Sequence, residues 1–190
     1  LMFDYLALPS LNIASQIMHQ GGVVAYPTES VWGLGCDPFN SRAVHALLSL
    51  KQRSADKGLI LIASHIEQFD FILEDLTNKQ IRTMQNTWPG PVTWVVPVNK
   101  FIPYWISGDH QGVAIRVSNH PIVKSLCNIY GGPIVSTSAN TQGHRAAKTQ
   151  WQVKRYFKSN VALDYITQGV VGKRQKPSQI FDLLTQAVIR

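Results

Sequence analysis

The chain has 190 residues, of which 45% are hydrophobic and 15% charged, with 13 Gly and 10 Pro. That composition excludes disordered, collagen, coiled-coil and disulfide-scaffold classes and leaves one globular domain spanning residues 1–190. The net charge of +7 lies in one segment: 145–176 holds Arg145, Lys148, Lys154, Arg155, Lys158, Lys173, Arg174 and Lys176 against the single acid Asp164, and the remainder is neutral. Such clustering fits an anionic partner met by one face, or equally a solvated surface that keeps the protein soluble.

Cys36 and Cys127 are far apart, with no C-x-x-C, so neither a zinc knuckle nor a disulfide framework is indicated and a reducing cytoplasm is the expected setting. No Lys or Arg precedes Arg42, so a basic signal-peptide region is missing. No apolar run approaches the roughly 18 residues of a membrane span.

In chain order, Leu11, Ile13, Ala14, Ile17 and Met18 predict an amphipathic helix closed by Gly21-Gly22, and Val23–Tyr26 predicts a buried strand. A second helix is expected from Ser41 to Lys51, then a strand over Gly58–Ala63. A short helix follows from Ser64, and Thr77 with Gln80 forms a capping box for the next. Strands are expected at Val92–Val98 and Val113–Val117, and Asn119-His120-Pro121 opens a helix to about Tyr130. Pro133–Ser136 predicts a short strand, Thr149–Phe157 a helix, and Ile180–Leu183 and Ala187–Ile189 terminal strands. This alternation implies an α/β fold, a twisted mixed sheet flanked by helices.

The dinucleotide fingerprint, the P-loop, H-E-x-x-H and G-x-S-x-G are absent, and the six histidines show no metal-ligand spacing, so no metal site is expected. Four polar clusters follow predicted strands or helices, where an α/β sheet commonly places ligands. Tyr26-Pro-Thr-Glu-Ser-Val-Trp-Gly-Leu-Gly35 presents Thr28, Glu29 and Ser30 on a proline-fixed turn, with two glycines that allow close approach to the backbone. Lys51-Gln-Arg53 with Lys57 places three cations at a helix end, more than the helix dipole calls for, in a combination suited to polyphosphate. Arg116 lies inside an apolar strand, where it must meet a carboxylate, a phosphate or water. Ser136-Thr-Ser-Ala-Asn140 is a run of small donors able to cradle phosphate oxygens. Each alone also reads as an ordinary turn or helix terminus.

Together and in this order, these clusters and Trp88-Pro-Gly-Pro-Val-Thr93 resemble the YrdC/TsaC family of threonylcarbamoyl-AMP synthases, from about residue 10 to the end. The family signature Lys-x-Arg and later Ser-x-Asn is matched by Lys51, Arg53, Ser138 and Asn140. The chain looks like the short bacterial form. The resemblance implies a YrdC-like fold with a basic concave face, and a nucleotidyltransferase reaction. L-Threonine and bicarbonate or CO2 give N-carboxy-threonine, which attacks the α-phosphate of ATP to give threonylcarbamoyl-AMP and pyrophosphate. The product feeds the transferase machinery that makes t6A at tRNA position 37. By resemblance Lys51 and Arg53 are catalytic, and ATP is bound by Lys51, Arg53, Lys57, Ser138, Asn140 and Arg190. Threonine is bound by Ser30, Arg116, Ser136 and Ser178 with help from Thr28, and Mg2+ comes with ATP. The chain departs from the common pattern at Ser54, Lys57, Ile62 and Gln179. These changes touch the threonine contacts more than the nucleotide site.

The rival reading is a non-enzymatic RNA-binding protein, from Trp151, Tyr156 and Tyr165 interleaved with the basic segment, since aromatics between cations can stack on bases. No RNA-binding module motif accompanies them, so the segment is expected as a rim or a secondary tRNA contact. A carbamoyl transferase using carbamoyl phosphate would employ the same phosphate-binding clusters.

Overall fold

A computed structural model describes residues 8–158, 161–174 and 177–190; Lys176 of the basic segment lies outside the described residues. In chain order the elements are α1 (Leu8–His19), β1 (Val24–Pro27), β2 (Trp32–Gly35), α2 (Ser41–Lys51), β3 (Ile60–Ala63), α3 (Asp70–Leu73), α4 (Asn78–Gln85) and β4 (Val92–Pro97). They continue with α5 (Tyr104–Ser107), β5 (Gly112–Val117), α6 (Pro121–Tyr130), β6 (Ile134–Ser138), α7 (Gln150–Tyr156), β7 (Tyr165–Ile166) and β8 (Gln179–Asp182). The strands form one mixed sheet in the order β7-β1-β2-β6-β3-β5-β4-β8, with parallel pairs at β1–β7, β3–β5 and β4–β8 and antiparallel pairs elsewhere. The expected α/β class and mixed sheet are observed.

The expected capping box of α4 forms between Thr77 and Gln80, and at the start of α2 Asn40, which was not singled out, accepts from Ala43 N. Two strands were not foreseen. β2 contains Gly33 and Gly35 and lacks strand-like alternation; its order comes from pairing with β1 and β6. β7 has only two residues and depends on β1. The expected strand at Ala187–Ile189 is reduced to a single bridge between Phe181 and Val188. Asp182 Oδ1 accepts from Leu184 N and Thr185 N and turns the chain back there.

The sheet has two unequal faces. Leu34, Leu61, Ile115 and Val135 point into the larger core with α2 and the residues of the α3–α4 region, whereas Tyr26, Ile62 and Ile134 pack under α1 and α6. Each buried Leu or Ile contributes roughly 1.5–3 kcal/mol of transfer free energy. Cross-strand partners share a face and residues two apart return to it, so the pairings Gly33↔Ser138, Ile60↔Ser136 and Ile62↔Arg116 place these side chains on the α1/α6 face. Where the two helices stop covering that face, it opens as a cavity. Among the described residues no helix is long and apolar enough to cross a membrane.

Candidate functional site

The cavity encloses about 420 Å³ and is lined by Thr28, Ser30, Val31, Gly33, Arg53, Gly58, Leu59, Ile60, Arg116, Ser136, Thr137, Ser138, Ala146, Pro177, Ser178 and Arg190. Eight of the residues expected at the site therefore line one cavity. The sheet face supplies the floor, and this differs from the expectation that ligands sit beyond strand ends, because Arg116, Ser136 and Ser138 lie within β5 and β6.

The Lys-x-Arg spacing works through the end of α2. Gln52 turns the chain at φ 54, with its N–H bonded to Leu48 O and Ser49 O, and Arg53 N also reaches Leu48 O. This left-handed cap sends Lys51 inward and Arg53 toward the cavity. Arg53 donates to the carbonyl oxygens of Lys57 (3.2 Å) and Gly58 (3.0 Å), and its buried Nε has no protein partner. Burial is the main force lowering the Arg53 pKa; Asp56 opposes it and nearby Arg190 adds to it. Two guanidinium groups thus flank one wall, where an anion would relieve their repulsion. Arg190 reaches Ser178 O only weakly, at 3.5 Å.

Lys51, Lys57 and Asn140, also expected at the phosphates, do not line the cavity. Lys51 is 5% exposed and donates to Ser138 O, Asn140 O (3.0 Å) and Asn140 Oδ1 (3.2 Å). An ammonium has three N–H donors, and these three oxygens use them all. In this structure Lys51 clamps the Ser138–Asn140 loop beside the cavity. Asn140 is consumed in the same loop, since Oδ1 also accepts from Ser138 Oγ at 2.6 Å and Nδ2 donates to Thr141 O and His144 O. Lys57 is exposed at the rim and offers its carbonyl to Arg53.

Arg116 is 8% exposed and pairs with Glu29 Oε2 at 3.1 Å. Thr93 donates to Ser178 Oγ at 2.9 Å, which leaves the Ser178 hydroxyl proton for a ligand. Thr28 Oγ1 donates to Val31 O at 2.7 Å, so toward the cavity it offers lone pairs. Gly33 lines the cavity as its role in close approach implies, whereas Gly35 serves packing. A Cβ there would lie 2.5 Å from Val135 O and 2.7 Å from the Tyr26 ring. Sequence reasoning did not assign Glu29 as the partner of Arg116, nor Leu59, Ile60, Ala146 and Pro177 as lining; an acid in the first cluster and a lone arginine inside an apolar strand were the available signal.

The lining holds no carboxylate or imidazole, and among the described residues no group of three His, Cys, Asp or Glu could hold a metal ion. The donor set suits a cation only when the ligand itself brings the negative oxygens.

Comparisons with known proteins follow the same lines. The "Threonylcarbamoyl-AMP synthase" of Saccharophagus degradans is 53% identical over 189 residues, 100% of this chain and 98% of that protein. The protein of the same name from Cellvibrio japonicus is 49% identical over 189 residues, 100% of this chain and 99% of its own length. Among solved structures, P. abyssi Sua5 complexed with L-threonine superposes with a TM-score of 0.86 at 28% identity, covering 95% of this chain; this chain spans about half (53%) of that one. The model of the Sua5_yciO_yrdC family, described as "Telomere recombination", matches residues 16–190. The chain belongs to the Sua5/YciO/YrdC family.

Proposed function

We propose that this protein is a threonylcarbamoyl-AMP synthase, a nucleotidyltransferase that makes threonylcarbamoyl-AMP and pyrophosphate from L-threonine, bicarbonate or CO2, and ATP, and so serves t6A formation in tRNA. The names and near-complete coverage of the relatives support it. The observation that carries it is one cavity lined by the neighbouring Arg53 and Arg190 and also by Arg116 with the hydroxyls of Ser30, Ser136 and Ser178. Two anionic groups, the triphosphate and the threonine carboxylate, thereby find cations within one enclosure.

In the reaction the threonine ammonium first gives up a proton to solvent, the free amine bonds to the carbon of CO2 and sheds a second proton, a carbamate oxygen attacks the α-phosphorus, and the bond to pyrophosphate breaks. Charge grows on the phosphoryl oxygens and the leaving group, so preorganised cations and donors supply the catalysis. Arg53 and Arg190 face that charge, and the Lys51 clamp keeps the Ser138–Asn140 loop in place beneath it. Lys57 offers an outer contact at the rim. Arg116, Ser178, Ser136 and Ser30 receive the amino acid, and Thr28 accepts from its ammonium. Because the carboxylated amine is the nucleophile, no activated Ser or Cys is required, in keeping with buried Cys36 and Cys127. Mg2+, when ATP brings it, would be held by phosphate oxygens and water and would neutralise phosphate charge.

The test is pyrophosphate release from ATP by the purified protein. Release requires threonine and bicarbonate together, and Arg53→Ala abolishes it without unfolding. Release that ignores threonine, or activity with carbamoyl phosphate instead, overturns the assignment.

A tRNA contact is a second element of the reading. Trp151 is 64% exposed with Arg155 5.4 Å from its ring centroid, on a helix that also carries Lys154, and this supports a stacking surface for a nucleic-acid strand.

A further inference from the structure

Glu29 does not line the cavity, yet it grips the residue that the proposed function assigns to the threonine carboxylate. Its two oxygens have separate duties. Oε1 accepts from Ser118 Oγ (2.7 Å) and Asn119 N (3.3 Å), and Oε2 accepts from Arg116 (3.1 Å). Ser118 and Asn119 directly follow β5, so the strand that carries Arg116 also carries the groups that fix its partner.

The backbone of Glu29 is held as firmly. Its carbonyl accepts from Arg174 N at 3.1 Å, and that of Thr28 from Gly172 N at 2.9 Å. Gly172 permits this approach, since a Cβ there would lie 2.8 Å from Glu29 O. Glu29 lines a separate cavity of about 350 Å³ with Pro89, Asn119 and His120, and is not among the lining of the first. Among the described residues Glu29 is the only hydrogen-bond acceptor of Arg116, and the guanidinium keeps further N–H groups unspent. Burial opposes ionisation of Glu29, but Arg116, the Ser118 hydroxyl and backbone N–H groups outweigh it and hold its carboxyl below the ordinary value.

We propose that Glu29 is a positioning residue for amino-acid recognition: it holds Arg116 by one guanidinium nitrogen and turns the remaining N–H groups toward the threonine carboxylate. A long side chain loses rotamer freedom when it is fixed, and here that loss is taken before substrate arrives. This rests on the proposed function, and the experiment separates the two.

Glu29→Gln keeps shape and an acceptor while removing the charge. The expected result is a rise in KM for threonine of about tenfold, equivalent to about 1.4 kcal/mol, with kcat and KM for ATP changed by less than about twofold. Calorimetric titration of threonine shows the same weakening. Glu29→Asp, which keeps the charge but is one methylene shorter, lies between. Should Glu29→Gln not fold, Ser118→Ala gives a rise of about threefold in the same constant by loosening Oε1. An unchanged threonine KM, or equal rises for both substrates with a lowered Tm, shows a merely structural ion pair and overturns the inference while the activity stands. A wild-type protein that neither binds nor uses threonine overturns the proposed function, and this inference with it.

Discussion

The ammonium of Lys51 donates to both the backbone and the side-chain oxygen of Asn140, at 3.0 and 3.2 Å, and its third donor goes to Ser138 O. The first member of Lys-x-Arg thus binds the ends of Ser-x-Asn. The two halves of the family signature are one structural unit, and the charge of Lys51 stands behind the phosphate wall.

Lys51→Met should therefore act through the loop. Three oxygens each lose the ammonium donor, and kcat/KM for ATP falls by about a hundredfold or more. Lys51→Arg fails to restore it, because a planar fork does not fit three converging oxygens. Steady-state kinetics check both, and a methionine variant with normal turnover refutes the clamp.

Burial, with Arg53 next to it, pulls the Lys51 pKa down to about 8. Below that value the ammonium keeps three protons for three acceptors. As pH rises through it one proton leaves, the loop loses a bond and positive charge leaves the site. The pH profile of kcat/KM for ATP should show an alkaline limb near about 8. A profile that stays flat through that value contradicts this role.

Gly35→Ala should destabilise the fold and leave no specific kinetic signature. Its Cβ would meet Val135 O at 2.5 Å, so β2 must shift from β6 at a cost of roughly 1–3 kcal/mol. Thermal unfolding measures it; an unchanged Tm means that β2 yields more easily than its pairing implies.

Trp151→Ala should leave threonine-dependent turnover and Tm unchanged, since the ring is largely exposed. Affinity for tRNA falls by about 1–3 kcal/mol if a base stacks there. Filter binding at several salt concentrations tests this, and equal affinity removes the helix from any RNA surface.

Much of the fold was legible because its signals are local: the Thr77–Gln80 box and Pro121 mark helix starts, and runs such as Gly58–Ala63 mark buried strands. β2 and β7 were not, since a glycine-rich tetrapeptide and a dipeptide become strands only through distant partners. At the site, residue types located Arg53, Arg116 and the Ser136–Ser138 run, but could not divide contact from support. Lys51 and Arg53 are two residues apart, and only the left-handed turn at Gln52 sends one into the protein and the other to the cavity. Glu29 and Arg116 are brought together by the mixed sheet, and no spacing announces that.

The most direct test is a crystal structure with a non-hydrolysable ATP analogue and L-threonine. The phosphates are expected between Arg53 and Arg190, the threonine carboxylate on Arg116 with Glu29 still holding it, and Lys51 still bound to Ser138 and Asn140. Phosphates seated outside this cavity, or threonine away from Arg116, would contradict the account.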